Sequence, residues 1–233
     1  GAYNLSIRNP SELTKIRANW ESFVATFTAH DPELFSQPGM LTLGERLERW
    51  APWVAAQLDA EPTDAHATLV HGDFKAMNVF LPAEGSGEKA VLIDFASTGV
   101  GYGMADVAMH LNHAVLPEDM SAGGEERLLD GYLAALKAAR GPGAAEYPRD
   151  LALRHYRLGC VDYGRFVVGR FWSAGKTTPD SFAAKAASPN SGLWNRRVDA
   201  ALAFAARINR YLAVFERGSA FLRCSTCACT VVC

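Results

Sequence analysis

His71-Gly72-Asp73-Phe74-Lys75-Ala76-Met77-Asn78 is followed by Ile93-Asp94-Phe95, with Asp94 sixteen positions beyond Asn78. Short β-like runs frame these segments: Thr68-Leu69-Val70-His71 ahead of the first, then residues 78–81 and 90–95. Pro82-Ala83-Glu84-Gly85-Ser86-Gly87 joins the last two and carries its own breakers, so the pair reads as a hairpin. Asn78 and Asp94 then lie beside one hairpin, where an amide and a carboxylate oxygen can converge on one cation.

Outward from this hairpin the pattern is helical. Leu13, Ile16, Trp20, Phe23, Val24 and Phe27 fall three and four apart, as one helix face requires. Pro32 and Pro38-Gly39 interrupt that run. Residues 42–58 repeat the pattern through Leu43, Leu47, Trp50, Trp53, Val54 and Leu58, with Pro52 expected to kink the helix or start it. Beyond Gly99-Val100-Gly101-Tyr102-Gly103, read as a flexible turn over the site, helical periodicity returns in 106–113, 125–140, 149–172 and 198–215. Residues 177–194 form a less regular connection. The fold class is α+β and mainly α, a single α-rich lobe over residues 1–217 with the hairpin embedded in it.

Composition excludes several classes of function. The 233 residues are 49% hydrophobic and 21% charged, with a mean hydropathy of -0.03, enough to bury a real core. A net charge of -2 offers no bulk attraction to nucleic acid or an anionic membrane, and no apolar run approaches the ~20 residues that span a bilayer. The start lacks the charged and apolar blocks of a signal peptide, and a chain opening at Gly1 without Met reads as a fragment or a processed form. Of five cysteines, Cys160 reads as a small buried hydrophobe, while Cys224, Cys227, Cys229 and Cys233 crowd the last ten residues. With no His there and little room for a tetrahedral site, zinc is disfavoured, and 218–233 is expected to be a disordered tail. No cysteine pair elsewhere suggests a disulfide scaffold, so reducing cytosol is the expected compartment.

The joint spacing HGDxxxxN…IDF carries the chemistry. Moving a phosphoryl group takes an oriented hydroxyl, an acceptor for its proton, and a divalent cation held by hard oxygen ligands. An Asp five residues before an Asn, with a second Asp opening an Asp-Phe segment, is the arrangement phosphoryl-transfer sites use for these tasks. Asp and Asn also cap turns, which accounts for each residue singly but not for their spacing. A metallophosphatase would need further His clusters, which are absent.

The motif resembles the core of the aminoglycoside phosphotransferase and choline-kinase-like family, distant relatives of protein kinases, over about residues 68–110. Its wording is closer to the choline-kinase-like and ecdysteroid-kinase-like branch. The resemblance implies a protein-kinase-like C-terminal lobe and an ATP- and Mg²⁺-dependent kinase for the alcohol group of a small molecule. It implies Asp73 as base or positioner of the acceptor hydroxyl, with Lys75 auxiliary near the transferring phosphate. Asn78 and Asp94 would hold the nucleotide's Mg²⁺. His71 would serve the loop backbone, and Asp106, in Gly103-Met104-Ala105-Asp106-Val107-Ala108, would brace the loop. The family's N-terminal ATP lobe is not visible: residues 1–67 hold no GxGxxG and no V-A-x-K. The competing reading is a non-catalytic kinase-like scaffold.

Other candidates read more simply. His110 and His113 lie on one helix face but lack a third metal ligand, so they read as satisfied structural histidines. The 99–103 glycines follow the second Asp and are no phosphate-binding fingerprint. His155, Tyr156, Asp162 and Tyr163 read as a mixed helix surface. Five arginines in 149–172 argue against a polycationic acceptor and favour a neutral or anionic one. The aromatics Tyr156, Tyr163, Phe166, Phe171, Trp172 and Trp194 suit either a pocket or a core.

Overall fold

The computed structural model describes residue 5, residues 10–143 and residues 145–227, with side chains described as far as residue 218. Cys229 and Cys233, expected in a disordered tail, lie outside the described residues, as do the side chains of Cys224 and Cys227. Nine helices are described: α1 (Leu13–Phe27), α2 (Pro32–Ser36), α3 (Leu43–Leu58), α4 (Gly103–Ala114), α5 (Pro117–Met120), α6 (Gly124–Arg140), α7 (Arg149–Arg170), α8 (Pro179–Ala183) and α9 (Val198–Cys227). Four short strands, β1 (Thr68–Val70), β2 (Val79–Phe80), β3 (Val91–Leu92) and β4 (Gly99–Gly101), interrupt the helical order between α3 and α4. The architecture is mainly helical with few strands.

α1 buries Ile16, Trp20, Phe23 and Phe27 along one face, at the spacing its sequence pattern demands. Phe23 stacks on Trp172, whose ring centroid lies 4.3 Å away, tying α1 to the end of α7. Pro32 and Pro52 are both accommodated within helices. Pro32 starts a helix: Asp31 caps α2 by accepting from the Leu34 N–H at 2.9 Å, and proline in the first turn forfeits no helical bond. α3 runs on through Pro52, which sits on the exposed side, where a carbonyl left without its donor can meet water.

The mixed-surface reading of residues 149–172 is corrected by their position. α7 lies at the centre of the helical layer, packed against α1, α3, α4 and α9, and His155, Tyr156, Asp162 and Tyr163 are all buried. Its glycines explain how so many helices reach it. A Cβ on Gly159 would sit 3.0 Å from the Ala108 Cβ and 3.1 Å from the Ala105 Cα, so α7 and α4 touch almost backbone to backbone. Residues 158–169 are buried on every side, so they carry no polar stripe to betray the helix's orientation.

The strands form two antiparallel pairs. β2 and β3 make the expected hairpin, with Val79 opposite Leu92 and Phe80 opposite Val91. β4 corrects the turn assigned to residues 99–103: Gly99, Val100 and Gly101 pair with Val70, Leu69 and Thr68. Glycine is a poor strand former, which hid the element from propensity. The space explains the residue, because a Cβ on Gly101 would come within 3.1 Å of Val70. The two ladders bracket the 71–78 loop and hold it over α4.

Candidate active site

The loop begins where β1 ends. Gly72 turns it with φ +78, and a Cβ there would lie 2.1 Å from the Ser97 carbonyl oxygen, so only glycine fits. Asp106, in the first turn of α4, receives both backbone N–H groups at this turn: His71 donates to Oδ2 at 2.6 Å and Gly72 to Oδ1 at 2.9 Å. Burial pushes the Asp106 carboxyl up, and those two donors pull against the shift.

His71 links the two halves of the motif. Its Nε2 lies 2.8 Å from the Ile93 carbonyl, the residue before Asp94, while the Asp73 N–H donates to its Nδ1 at 3.3 Å. A carbonyl only accepts and an N–H only donates, so the partners assign the proton to Nε2. The ring also packs on Phe95 at 4.9 Å.

Asp73, Lys75 and Asn78 converge. Lys75 Nζ donates to Asp73 Oδ2 at 2.6 Å, and Asn78 Nδ2 donates to the Asp73 carbonyl at 2.9 Å. The Lys75 N–H closes a tight turn onto the Asp73 carbonyl, and the Asn78 N–H closes the next onto the Lys75 carbonyl. Asn78 is 3% exposed and spends its amide N–H on the loop, so its oxygen is the atom left for a cation. The Ile93 N–H donates to the Asn78 carbonyl at 3.1 Å and extends the hairpin register, which puts Asp94 diagonal to Asn78 across the ladder. Asp94 is exposed and holds φ 64 and ψ 61, a left-handed conformation that Asp tolerates better than most residues. Its carboxylate makes no hydrogen bond or ion pair to another described residue.

Among the described residues no three His, Cys, Asp or Glu side chains cluster as a ready-made metal cage. Asn78 and Asp94 offer an amide and a carboxylate oxygen, the hard donor types that Mg²⁺ takes beside waters and phosphate oxygens. A cleft of about 400 Å³ opens beside the loop, lined by Val70, His71, Phe74, Phe95 and Tyr132 among others.

The remaining candidates sort by contact. His110 and His113 are indeed satisfied, and their partners are in the loop itself: His110 Nδ1 lies 3.3 Å from the Phe74 carbonyl, and the Ala76 N–H donates to His113 Nδ1 at 3.4 Å. Four of the five arginines of α7 have acidic or amide partners within the fold. Arg149 pairs with Asp130, Arg165 with Asp162, Arg170 with Glu12, and Arg154 bonds Gln57. Arg157 lies over the Tyr211 ring, 5.7 Å from its centroid. Tyr163, Trp172 and Trp194 are core, with the Trp194 indole donating to the Tyr163 hydroxyl at 3.0 Å. Sequence reasoning gave the 177–194 connection no role beyond keeping Trp194 as a pocket or core aromatic, yet Gly192 and Trp194 pack against His113 beside the loop. Nothing in its composition marks it.

The model of the phosphotransferase enzyme family matches residues 12–149, more than half of the chain and all of the loop and hairpin. The chain belongs to that family. No curated protein matches it. Membership carries phosphotransferase chemistry in general, with nucleotide and small-molecule substrates, and the matched span contains every polar group described above except those of α7 and the 177–194 connection. Among the described residues no helix is long and apolar enough to cross a membrane.

Proposed function

We propose that this phosphotransferase moves the γ-phosphoryl group of ATP to the hydroxyl of a small molecule, using a kinase-like C-terminal lobe. One observation carries the reading: the Asp73 carboxylate stands in a loop pinned by Asp106, beside the Lys75 ammonium and the Asn78 amide, with Asp94 across the hairpin. Asp73 orients the acceptor hydroxyl and takes its proton. Lys75 pairs with that carboxylate in the resting site, and its ammonium is the group available to an incoming phosphate. Asn78 and Asp94 would hold Mg²⁺, which when bound neutralises charge on the phosphate oxygens. His71 and Asp106 keep the loop and the Asp94 segment in register.

The reading includes a second body that covers the nucleotide. Leu69, Phe80, Leu81, Val91, Ile93, Phe95 and Val100 are exposed on the two ladders around Asp94, an apolar surface of the kind that a closing partner covers. The loop and hairpin by themselves offer little to grip adenine or ribose, so the isolated chain binds ATP weakly and turns over little.

Isothermal titration with ATP tests this. Binding should be weak and should require Mg²⁺, and Asp94→Asn should remove the metal dependence. In an assay with a covering lobe supplied, Asp73→Asn should lower kcat by about 10²–10⁴. Equal activity of the parent, Asp73→Asn and Asp94→Asn would overturn this mechanism, and no turnover by any of the three with the lobe supplied would favour the scaffold reading.

A further inference from the structure

One stripe of α4 meets the catalytic loop at three successive places. Asp106, His110 and His113 are four and three residues apart and so share a helix face. Asp106 takes the N–H groups of His71 and Gly72, His110 reaches the Phe74 carbonyl, and His113 receives the Ala76 N–H. We propose that His110 and His113 are positioning residues, His110 for the segment bearing Asp73 and Lys75, and His113 for the turn bearing Asn78. The proposal deepens the phosphotransfer reading and rests on it for the roles of those three residues.

The backbone accounting favours this over two incidental core histidines. Within the loop, Asp73 and Lys75 use their carbonyls, and Lys75 and Asn78 their N–H groups, in the two tight turns. The Phe74 carbonyl and the Ala76 N–H take no part in those turns. Ala76 also opens the 3₁₀ turn Ala76–Asn78, and the first N–H of such a turn has no partner inside it. His110 and His113 supply the two missing partners, one as donor and one as acceptor, which requires opposite tautomers. His110 must carry its proton on Nδ1, because a carbonyl only accepts, and His113 must leave Nδ1 bare, because an N–H only donates.

Packing holds both rings in those roles. Phe74 stacks on His110 at 4.8 Å. His113 is 4% exposed, edge-on to Trp194, and a Cβ on Gly192 would meet its Cδ2 at 2.8 Å. Burial holds both imidazoles towards the neutral form, so the Nδ1 acceptor on His113 persists at neutral pH.

The test uses amide hydrogen exchange of the full chain by NMR, with Mn²⁺·ATP titration as the second readout. His113→Leu removes the acceptor, whereas His113→Asn places an amide oxygen near the position of Nδ1. The Leu variant should exchange the Ala76 and Asn78 amides about tenfold faster, the scale of one lost hydrogen bond, while α7 amides keep their protection. Its Mn²⁺·ATP affinity should fall by a similar factor, and Asn should restore both. If the Leu variant fails to fold, His113→Gln serves in its place, since its longer side chain carries the oxygen past the Ala76 N–H and should behave as a loss. Equal exchange at Ala76 in the parent and the Leu or Gln variant, or no difference between either of them and Asn, overturns the proposal. A parent that binds no Mn²⁺·ATP, with the exchange pattern still as described, overturns the phosphotransfer reading and leaves the positioning of the loop standing.

Discussion

Gly72 and Asp94 are two points at the candidate site where backbone conformation limits the residue. At Gly72 a positive φ and the Ser97 carbonyl act together, so Gly72→Ala must both adopt a disfavoured conformation and push backbone aside. It should destabilise by at least about 2 kcal/mol in urea titration, and a loss under about 0.5 kcal/mol would contradict the packing described. Asp94 has the opposite balance, since its left-handed φ is strain that glycine would relieve. Asp94→Gly should leave stability within about 1 kcal/mol of the parent while removing Mg²⁺-dependent nucleotide binding. Undiminished Mg²⁺ dependence in that variant would show that the strained residue serves the backbone and not an ion. The spacing of Asp73, Asn78 and Asp94 was legible because the proposed phosphoryl transfer would impose it. Roles for Phe74 and Ala76 were not, because they lie in backbone atoms that every sequence possesses.

At the scale of elements, periodicity gave the direction of helices with one buried face, found α7 without its burial, and missed β4. α1 and α3 each present a solvent side, so the spacing of their apolar residues reports their direction. The β2–β3 hairpin, exposed at three of its four strand residues, was legible instead from its β-like runs and the breakers between them. β4 and α7 fail that test for different reasons. β4 is built of glycine because Val70 fills the space above it, and α7 is enclosed on every side over residues 158–169. Gly159 makes the second point measurable. Gly159→Ala would gain helix propensity, about 1 kcal/mol in isolation, yet its Cβ would press on Ala105 and Ala108. Because α4 also carries the loop, a net loss of about 1–3 kcal/mol is expected in denaturant unfolding. A net gain would mean that α4 and α7 can part without cost. The same substitution should raise the exchange rate of the loop amides, which an effect confined to α7 would leave alone.

Across the whole molecule, charge and burial set how the fold responds to pH. Besides His71, two histidines distant in sequence are buried, His113 under the 71–78 loop and His155 in α7, where Tyr147 meets its Nδ1 at 2.6 Å and Tyr102 stacks on its ring at 3.8 Å. Burial lowers both from an ordinary value of 6.5 to about 4, with neighbouring positive charges acting in the same direction. The folded state therefore keeps both rings neutral while the unfolded chain protonates them near 6.5. Their stabilising contribution is complete above that value and is lost as the pH falls towards about 4. The melting temperature should be flat from pH 8 to about 7 and fall steadily below about 6. Carboxylates with lowered values, such as Asp130 and Asp199, are largely exposed and titrate lower still, so they add little to the upper part of that window. His155→Gln keeps an acceptor for Tyr147 but cannot take up a proton, and should lose less on acidification than the parent. A melting temperature that stays level between pH 7 and pH 5, or a His155→Gln variant as acid-sensitive as the parent, would place the acid response elsewhere. Because His113 also bonds the Ala76 N–H, the acid limb of unfolding and the loosening of the loop should begin together, whereas His155 acts only on the first.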